Sequence, residues 1–302
     1  MPINKWTLRE GFLVGAAVVI AGLMLELSVG PVVWDSFAWP VNFITLLAFF
    51  VLIFAFHLLR RKVSVFRFLS TYQAAVPALC YAVVLTVIMG LTRQTVDGTW
   101  FHNMLSFWPF VLIYVYITVI LGLVTLRQLT HIRFTLSGFR YSLLFHLGLF
   151  LALVCATLGN ADMQRMKMIT TVGQPEWRVV DGQGAIRELP MAIELKRFIM
   201  EKYDDGTPRR FASDIQILTK KGKDLQVTVD VNNPVEVEGW KIYQYGYDTQ
   251  MGDMSQTSIL ELVSDPWLPA VYAGIYLMLA GAVVMFVCGG KQKIVNGLSL
   301  NT

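Results

Sequence analysis

The sequence predicts a polytopic α-helical membrane protein of six transmembrane helices, with one extracytoplasmic, mostly β domain inserted between the fifth and the sixth. Three observations predict it. The chain has 302 residues, of which 55% are hydrophobic and only 15% charged, a composition outside the soluble range. Its apolar residues fall in unbroken runs of about 20, the length that crosses about 30 Å of hydrocarbon at 1.5 Å per residue. After the fifth run the pattern changes abruptly to charge-rich, period-two alternation for about 105 residues.

The runs are expected at about 10–29, 40–59, 73–92, 109–127, 142–160 and 268–288. A membrane domain of residues 1–160, a β domain of 161–265 and a return segment of 266–302 follow from them. Orientation comes from the bias of Lys and Arg toward the cytoplasmic side. Lys5, Arg9, Arg60, Arg61, Lys62, Arg67, Arg127, Arg133, Arg140, Lys291 and Lys293 fall on one side if both termini are cytoplasmic, whereas the opposite short loops carry only Arg93. Trp34, Trp39, Trp100, Trp108 and Trp267 then lie at the outer boundary, as an interfacial aromatic belt does. The expected location is the bacterial inner membrane. The first run is long, contains Glu26 and ends in GPVVW without a small-residue cleavage site, so it reads as a retained helix rather than a cleaved signal peptide.

The net charge of +4 is a sum of two unlike parts. Residues 161–265 hold 13 Lys and Arg against 17 Asp and Glu, while the remainder holds 12 against 4. The basic excess is the topological signal itself, and no nucleic-acid partner is implied.

Within the outer domain, MAIEL, SDIQIL, LQVTVDV, VEVEGWKIYQY and SILELV alternate or run β-branched, with turn chemistry in YDDGTP, TKKGKD and VNNP between them. ELKRFIMEKY fits a helix or, better, a strand. ADMQRMKM places Met163, Met166 and Met168 just beyond the fifth run, where thioethers fit either an ordinary interfacial filling or a cofactor contact. Glu194, Glu201, Asp204 and Asp205 read as solvated strand edges and turns, and Glu26 as a snorkelling acid or the lining of a polar path.

Cys80, Cys155 and Cys288 lie within apolar runs with no C-x-x-C spacing, which argues against thiol redox chemistry and against haem attachment to this chain. The domain of 161–265 contains no histidine, so neither a Ser-His-Asp set nor a His-rich metal site can be built in it, and no catalytic residue is assigned. Of the four histidines, His102 is in an outer loop, His131 in an inner loop, and His57 and His146 inside runs. His146 follows Arg140 by six residues, about 9 Å into the membrane, and His57 precedes Arg60 by three, about 4–5 Å in. An imidazole at that depth is either an interhelical hydrogen bond or a ligand of haem iron. A six-coordinate site then pairs His146 with His57 or takes a second histidine from a partner.

FHLGLFLAL with His146, ELPMAIELKRFIMEKYDDGTPRRFASDIQIL with Tyr203, Gly206, Pro208 and Ser213, and VNNPVEVEGWKIYQYGYD followed by SILELVSDPWLPAVYAGIYLMLAG resemble the ResB-like family of System II cytochrome c biogenesis. In the last stretch Asn232, Pro234, Gly239, Tyr243, Gln244, Asp265, Pro266, Tyr272 and Gly274 match the family's spacing, and the resemblance covers residues 140–288. It implies haem b held transiently, with His146 as an axial ligand. It also implies a tryptophan-rich CcsA-type membrane partner, and attachment of haem to the CxxCH thiols of apocytochrome c by the complex, with this chain a non-catalytic subunit of the haem lyase. Two departures stand out: the usual member has three helices before its domain, where this chain has five, and VVWDSFAWP only superficially resembles the partner's tryptophan-rich motif. The alternatives are a haem b subunit of a respiratory quinol-oxidising complex, with His57 and His146 as its ligands, and a non-catalytic membrane anchor.

Overall fold

The computed structural model describes residues 6–95, 98–130 and 142–298, with side chains to residue 287. Lys5, His131, Arg133, Arg140 and the side chains of Cys288, Lys291 and Lys293 lie outside the described residues. The chain divides into two compact units, residues 1–161 with 267–302, and residues 162–266.

The first unit is helical: α1 (Leu8–Val29), α2 (Val41–Leu59), the short α3 (Ser64–Phe68), α4 (Tyr72–Leu91), α5 (Trp108–Leu129), α6 (Ser142–Gly159) and α7 (Leu268–Leu298). All but α3 are long and apolar enough to cross a membrane, with mean hydropathy of 2.1–2.4 over their best 18 residues. Thr7 starts α1 with a capping box, its side chain accepting from Arg9 N while Glu10 accepts from Thr7 N. The 3-10 turns at Trp34–Phe37 and Trp100–Ser106 and the helix α3 carry no 20-residue apolar signal and were not expected from the sequence.

Small residues set the helix spacing. A Cβ on Gly148 of α6 would stand 2.3 Å from Met278 N of α7, one on Gly274 would meet Ala152 N at 2.6 Å, and one on Gly281 would meet Phe145 N at 2.4 Å. The two backbones are therefore nearly in contact, the close approach that small residues allow between helices. Gly159 is likewise covered by the Trp267 ring. On α1, Gly11 lies on Gln73 O and Pro77 of α4, and Gly22 on the Pro109 backbone of α5. Side-chain hydrogen bonds to backbone complete the bundle: Asn42 Nδ2 donates to Leu158 O at 3.2 Å, Tyr114 Oη to Leu153 O at 3.0 Å and Tyr81 Oη to Phe12 O at 3.0 Å.

The second unit is one antiparallel eight-stranded sheet of order β5-β4-β3-β2-β1-β8-β7-β6. Its strands are β1 (Gln164–Thr171), β2 (Pro175–Asp181), β3 (Ile186–Lys202), β4 (Pro208–Thr219), β5 (Asp224–Asp230), β6 (Val235–Val237), β7 (Trp240–Tyr247) and β8 (Thr257–Ser264). The six apolar helices and this antiparallel unit, placed between α6 and α7, fit the architecture expected from the sequence. ELKRFIMEKY is strand, within the 17-residue β3, whose register shifts between Leu195 and Arg197. VEVEGWKIYQY is two strands, because Glu238 and Gly239, both at positive φ, turn the chain between Val237 and Trp240.

The sheet folds over itself. Met168, Ile193, Leu195, Ile217, Ile242 and Leu260 are among the buried residues of one core, and Ser213 of β4 meets Gln244 of β7 and Ser258 of β8, strands far from it in the sheet order. Met166 and Met168 are core residues of β1, with Met163 at the surface, so the methionines fill the interior of the sheet and the cofactor-contact reading is dropped.

Candidate functional site

His146 stands one turn into α6, half-buried. Its Nδ1 is 2.6 Å from the carbonyl oxygen of Ser142, four residues earlier on the same helix. A carbonyl only accepts, so Nδ1 carries a proton, and in the neutral ring the lone pair is then on Nε2. This is the second-sphere arrangement that fixes the tautomer of a metal-binding imidazole. Gln128, on the last turn of α5, donates from Nε2 to Ser142 Oγ at 3.2 Å and lies 3.4 Å from His146 Nδ1. Its Oε1 is buried with no hydrogen-bond partner among the described residues. With the amide turned over, Oε1 would accept from both Ser142 and His146; in either orientation the ring proton stays on Nδ1. The Phe145 ring meets the imidazole edge-on, centroids 5.9 Å apart.

Gln128 and Ser142 were missed in the sequence. The available signal was a buried amide near the end of an apolar run, and a serine four residues before His146 on the same helical face.

The remaining histidines are dispersed. His57 is buried on the last turn of α2, at the same end of the helical unit as His146, because α2 and α5 both finish there and α6 begins there. His102 is exposed in the segment between α4 and α5, its Nδ1 3.1 Å from Arg93 O. It lies beyond the opposite end of α5, roughly 30 Å along the helix from Gln128. No group of three or more His, Cys, Asp and Glu side chains able to hold a metal ion occurs among the described residues. Cys80 is exposed and Cys155 buried, both as free thiols.

Glu26 neither snorkels nor lines a path. It is 7% exposed, and its Oε2 accepts from the first backbone N–H of α5, Trp108 N, at 3.1 Å, so a carboxylate from α1 caps the positive end of α5. The belt tryptophans are also tied in: Trp108 Nε1 donates to Gly30 O at 2.9 Å and Trp34 Nε1 to Leu105 O at 3.2 Å.

In the β unit Ser213, Gln244 and Ser258 form a closed buried network. Gln244 Oε1 is 2.6 Å from Ser213 Oγ and 3.0 Å from Ser258 Oγ, the two hydroxyls are 2.8 Å apart, and Gln244 Nε2 donates to Gly246 O at 2.8 Å. Such a network is satisfied from within and offers no group to a ligand. Of the acids read as solvated edges, Glu194 and Glu201 are on the interior strand β3, paired with Lys196 at 2.6 Å and Arg210 at 2.8 Å. Asp205 holds the β3–β4 turn through Thr207, whose hydroxyl and backbone N–H lower the carboxyl pKa.

The model of the ResB-like family matches residues 141–258. The cytochrome c biogenesis protein CcsB of Prochlorococcus marinus subsp. pastoris is 26% identical over 126 residues, which cover 41% of this chain and 28% of that protein. CcsB of Prochlorococcus marinus strain NATL2A is 26% identical over 102 residues, covering 34% and 23%. The chain thus spans about a quarter of the length of these curated relatives. A solved structure titled cytochrome c heme lyase CcmF aligns with 75% of this chain and 41% of that one, at 15% identity and a TM-score of 0.35. Over residues 141–258, from α6 through most of the β unit, this chain is similar to the ResB-like family, and part of it is similar to the CcsB proteins.

Proposed function

We propose that this chain is a membrane-embedded, haem-handling and scaffold component of cytochrome c biogenesis. In this reading the six apolar helices span the bacterial inner membrane, both termini are cytoplasmic and residues 161–265 face outward. A CcsA-type tryptophan-rich protein is the membrane partner, and together they pass haem b to the CxxCH thiols of apocytochrome c. The names of the relatives over residues 141–258 support the process. The observation that carries the haem role is the imidazole of His146, with Nδ1–H given to the Ser142 carbonyl and Nε2 left as a ligand.

The residues present fit the group. An imidazole whose Nδ1–H is engaged can serve as a haem ligand through Nε2, and Gln128 holds a buried carbonyl oxygen beside it with no partner among the described residues. His146 would hold the iron, with Ser142 and Gln128 orienting the ring, and His57 at the same end of the bundle is the internal candidate for the second ligand. When bound, haem supplies the vinyl groups that receive the cytochrome thiols. This chain's own part is to bind and orient, and no acid, base or nucleophile for the attachment is assigned to it.

His146→Gly tests the reading. The variant should insert and accumulate, yet copurify with roughly tenfold less haem or lower still, and imidazole at millimolar concentration should restore part of it by entering the vacated slot. His102→Gly should change nothing. Undiminished haem in His146→Ala without additive would remove the ligand role. The same rescue applied to His57→Gly reports whether the second ligand is internal.

A further inference from the structure

Where α2 and α5 end, four arginines converge on one cavity. Arg60 caps α2, Arg61 follows it, Arg67 is in α3 and Arg127 is in the last turn of α5; with Ser70 and Thr71 they line a space of ≈ 400 Å³. Two of them donate to main-chain carbonyls, Arg127 Nη1 to Ser70 O at 3.3 Å and Arg67 Nη2 to Arg61 O at 3.5 Å. Among the described residues no Asp or Glu pairs with any of the four. Burial chiefly, and then the neighbouring Arg127 and Arg61 cations, lower the Arg60 pKa. The two hydroxyls are spent as donors, Ser70 Oγ to Phe66 O at 3.3 Å and Thr71 Oγ1 to Phe68 O at 2.6 Å, so the charge in the cavity is that of the guanidiniums alone.

A positive-inside signal requires cations in a loop; it does not require them to meet. Here Arg127 reaches across from a helix 57 residues beyond Ser70, and its guanidinium is held in place by a backbone carbonyl. Guanidinium forks recognise oxyanions by paired N–H···O bonds, and forks arriving from three elements suit a tetrahedral anion with several oxygens better than one planar carboxylate. The site also begins where the apolar runs of α2 and α5 stop, at the depth of lipid headgroups.

We propose that this cavity binds a phosphate group, supplied by the headgroup of an anionic phospholipid or by free phosphate. The site is independent of His146 and of the haem reading.

The test uses the full chain in neutral detergent and in nanodiscs of phosphatidylglycerol or phosphatidylcholine. Phosphatidylglycerol, or inorganic phosphate at constant ionic strength, should raise the thermal unfolding temperature. Arg60→Gln with Arg127→Gln should weaken that binding roughly tenfold or more, the size expected for loss of charged hydrogen bonds. Lys62→Gln, which removes a charge from the same loop outside the cavity, should leave binding intact. Lipid retained through detergent exchange and not displaced by phosphate identifies the headgroup as the source; displacement by millimolar phosphate identifies the free anion. Should the double variant fail to fold, Arg127→Lys keeps the charge, loses the fork and should still weaken binding. The proposal is overturned if neither phosphate source binds, if phosphatidylcholine binds as well as phosphatidylglycerol, or if the arginine variants bind like wild type. It also fails if Lys62→Gln loses as much as the arginine pair.

Discussion

The helical unit and the β unit both bury apolar clusters but differ in what surrounds and supplements them. In the β unit buried apolar side chains make one core and charged pairs dress its surface, as with Arg197 and Asp214 at 2.9 Å or Arg210 between Glu201 and Asp230. The helical unit leaves large apolar residues such as Leu91 and Phe286 more than 80% exposed and depends on glycine contacts and on side chains bonded to carbonyls. The difference is what the proposed membrane setting of the helical unit calls for. Water drives apolar burial and tolerates ion pairs, whereas hydrocarbon removes that drive and leaves close packing and satisfied polar groups to hold helices together.

The strongest way to break this contrast is to add bulk at a glycine of the α6–α7 contact. Gly148→Leu places atoms where Met278 N already stands 2.3 Å from the would-be Cβ, and the helices must separate. The expected cost is about 3 kcal/mol or more, enough to abolish accumulation of the full chain. Gly90→Ala, with no atom within 4 Å, should be tolerated, and equal loss in both would refute the packing account.

A smaller effect is expected in the β unit, whose own core predicts that residues 162–266 fold alone into a β-rich, haem-free fragment. Ser213→Val in that fragment removes one of the two hydroxyls that meet Gln244 Oε1, leaves the Ser258 bond in place, and should lower urea stability by roughly 1 kcal/mol. An unchanged midpoint would mean that the network contributes nothing.

The smallest is a pH effect confined to the same unit. Arg178, hydrogen-bonded to Glu176, holds that carboxyl down at about 2. The contacts to Arg187 and Lys202 lower Asp181 and Asp253 in the same direction. A carboxyl depressed by folding contributes stability that is present above its unfolded pKa and lost as pH falls toward its folded one. The fragment should therefore weaken as pH drops from about 4.5 to about 2, and Glu176→Gln should shallow that slope. The pairs are exposed, so the change should be modest.

Much of the fold is legible in the sequence because long apolar runs and period-two alternation are local signals. β1 and β2 escaped because QRMKMITT alternates methionine with polar residues before its β-branched end and PEWRVVD opens on proline and holds only a short Val-Val pair. The helix contacts escaped for a different reason: Gly11 and Gly15, or Gly274 and Gly281, mark a face only once the partner helix is known. For the candidate site the sequence singled out His146 but not what surrounds it. Gln128 is 18 residues away on another helix, and nothing local says which amide will face which imidazole.

The glycine contact between α6 and α7 bears on how the chain is made. Gly159 and Trp267 touch, yet about a hundred residues separate them along the chain. Synthesis at about 5–20 residues per second therefore leaves α6 without its partner for roughly 5–20 s. During that interval the strip of α6 around Gly148 is uncovered by α7, and the intervening segment can collapse into its sheet first. Docking of α7 then closes a loop that is already compact, so little chain entropy remains to be lost at that step. Assembly of the hairpin is thereby set to follow completion of the inserted sheet, an order of events written into where the insertion falls.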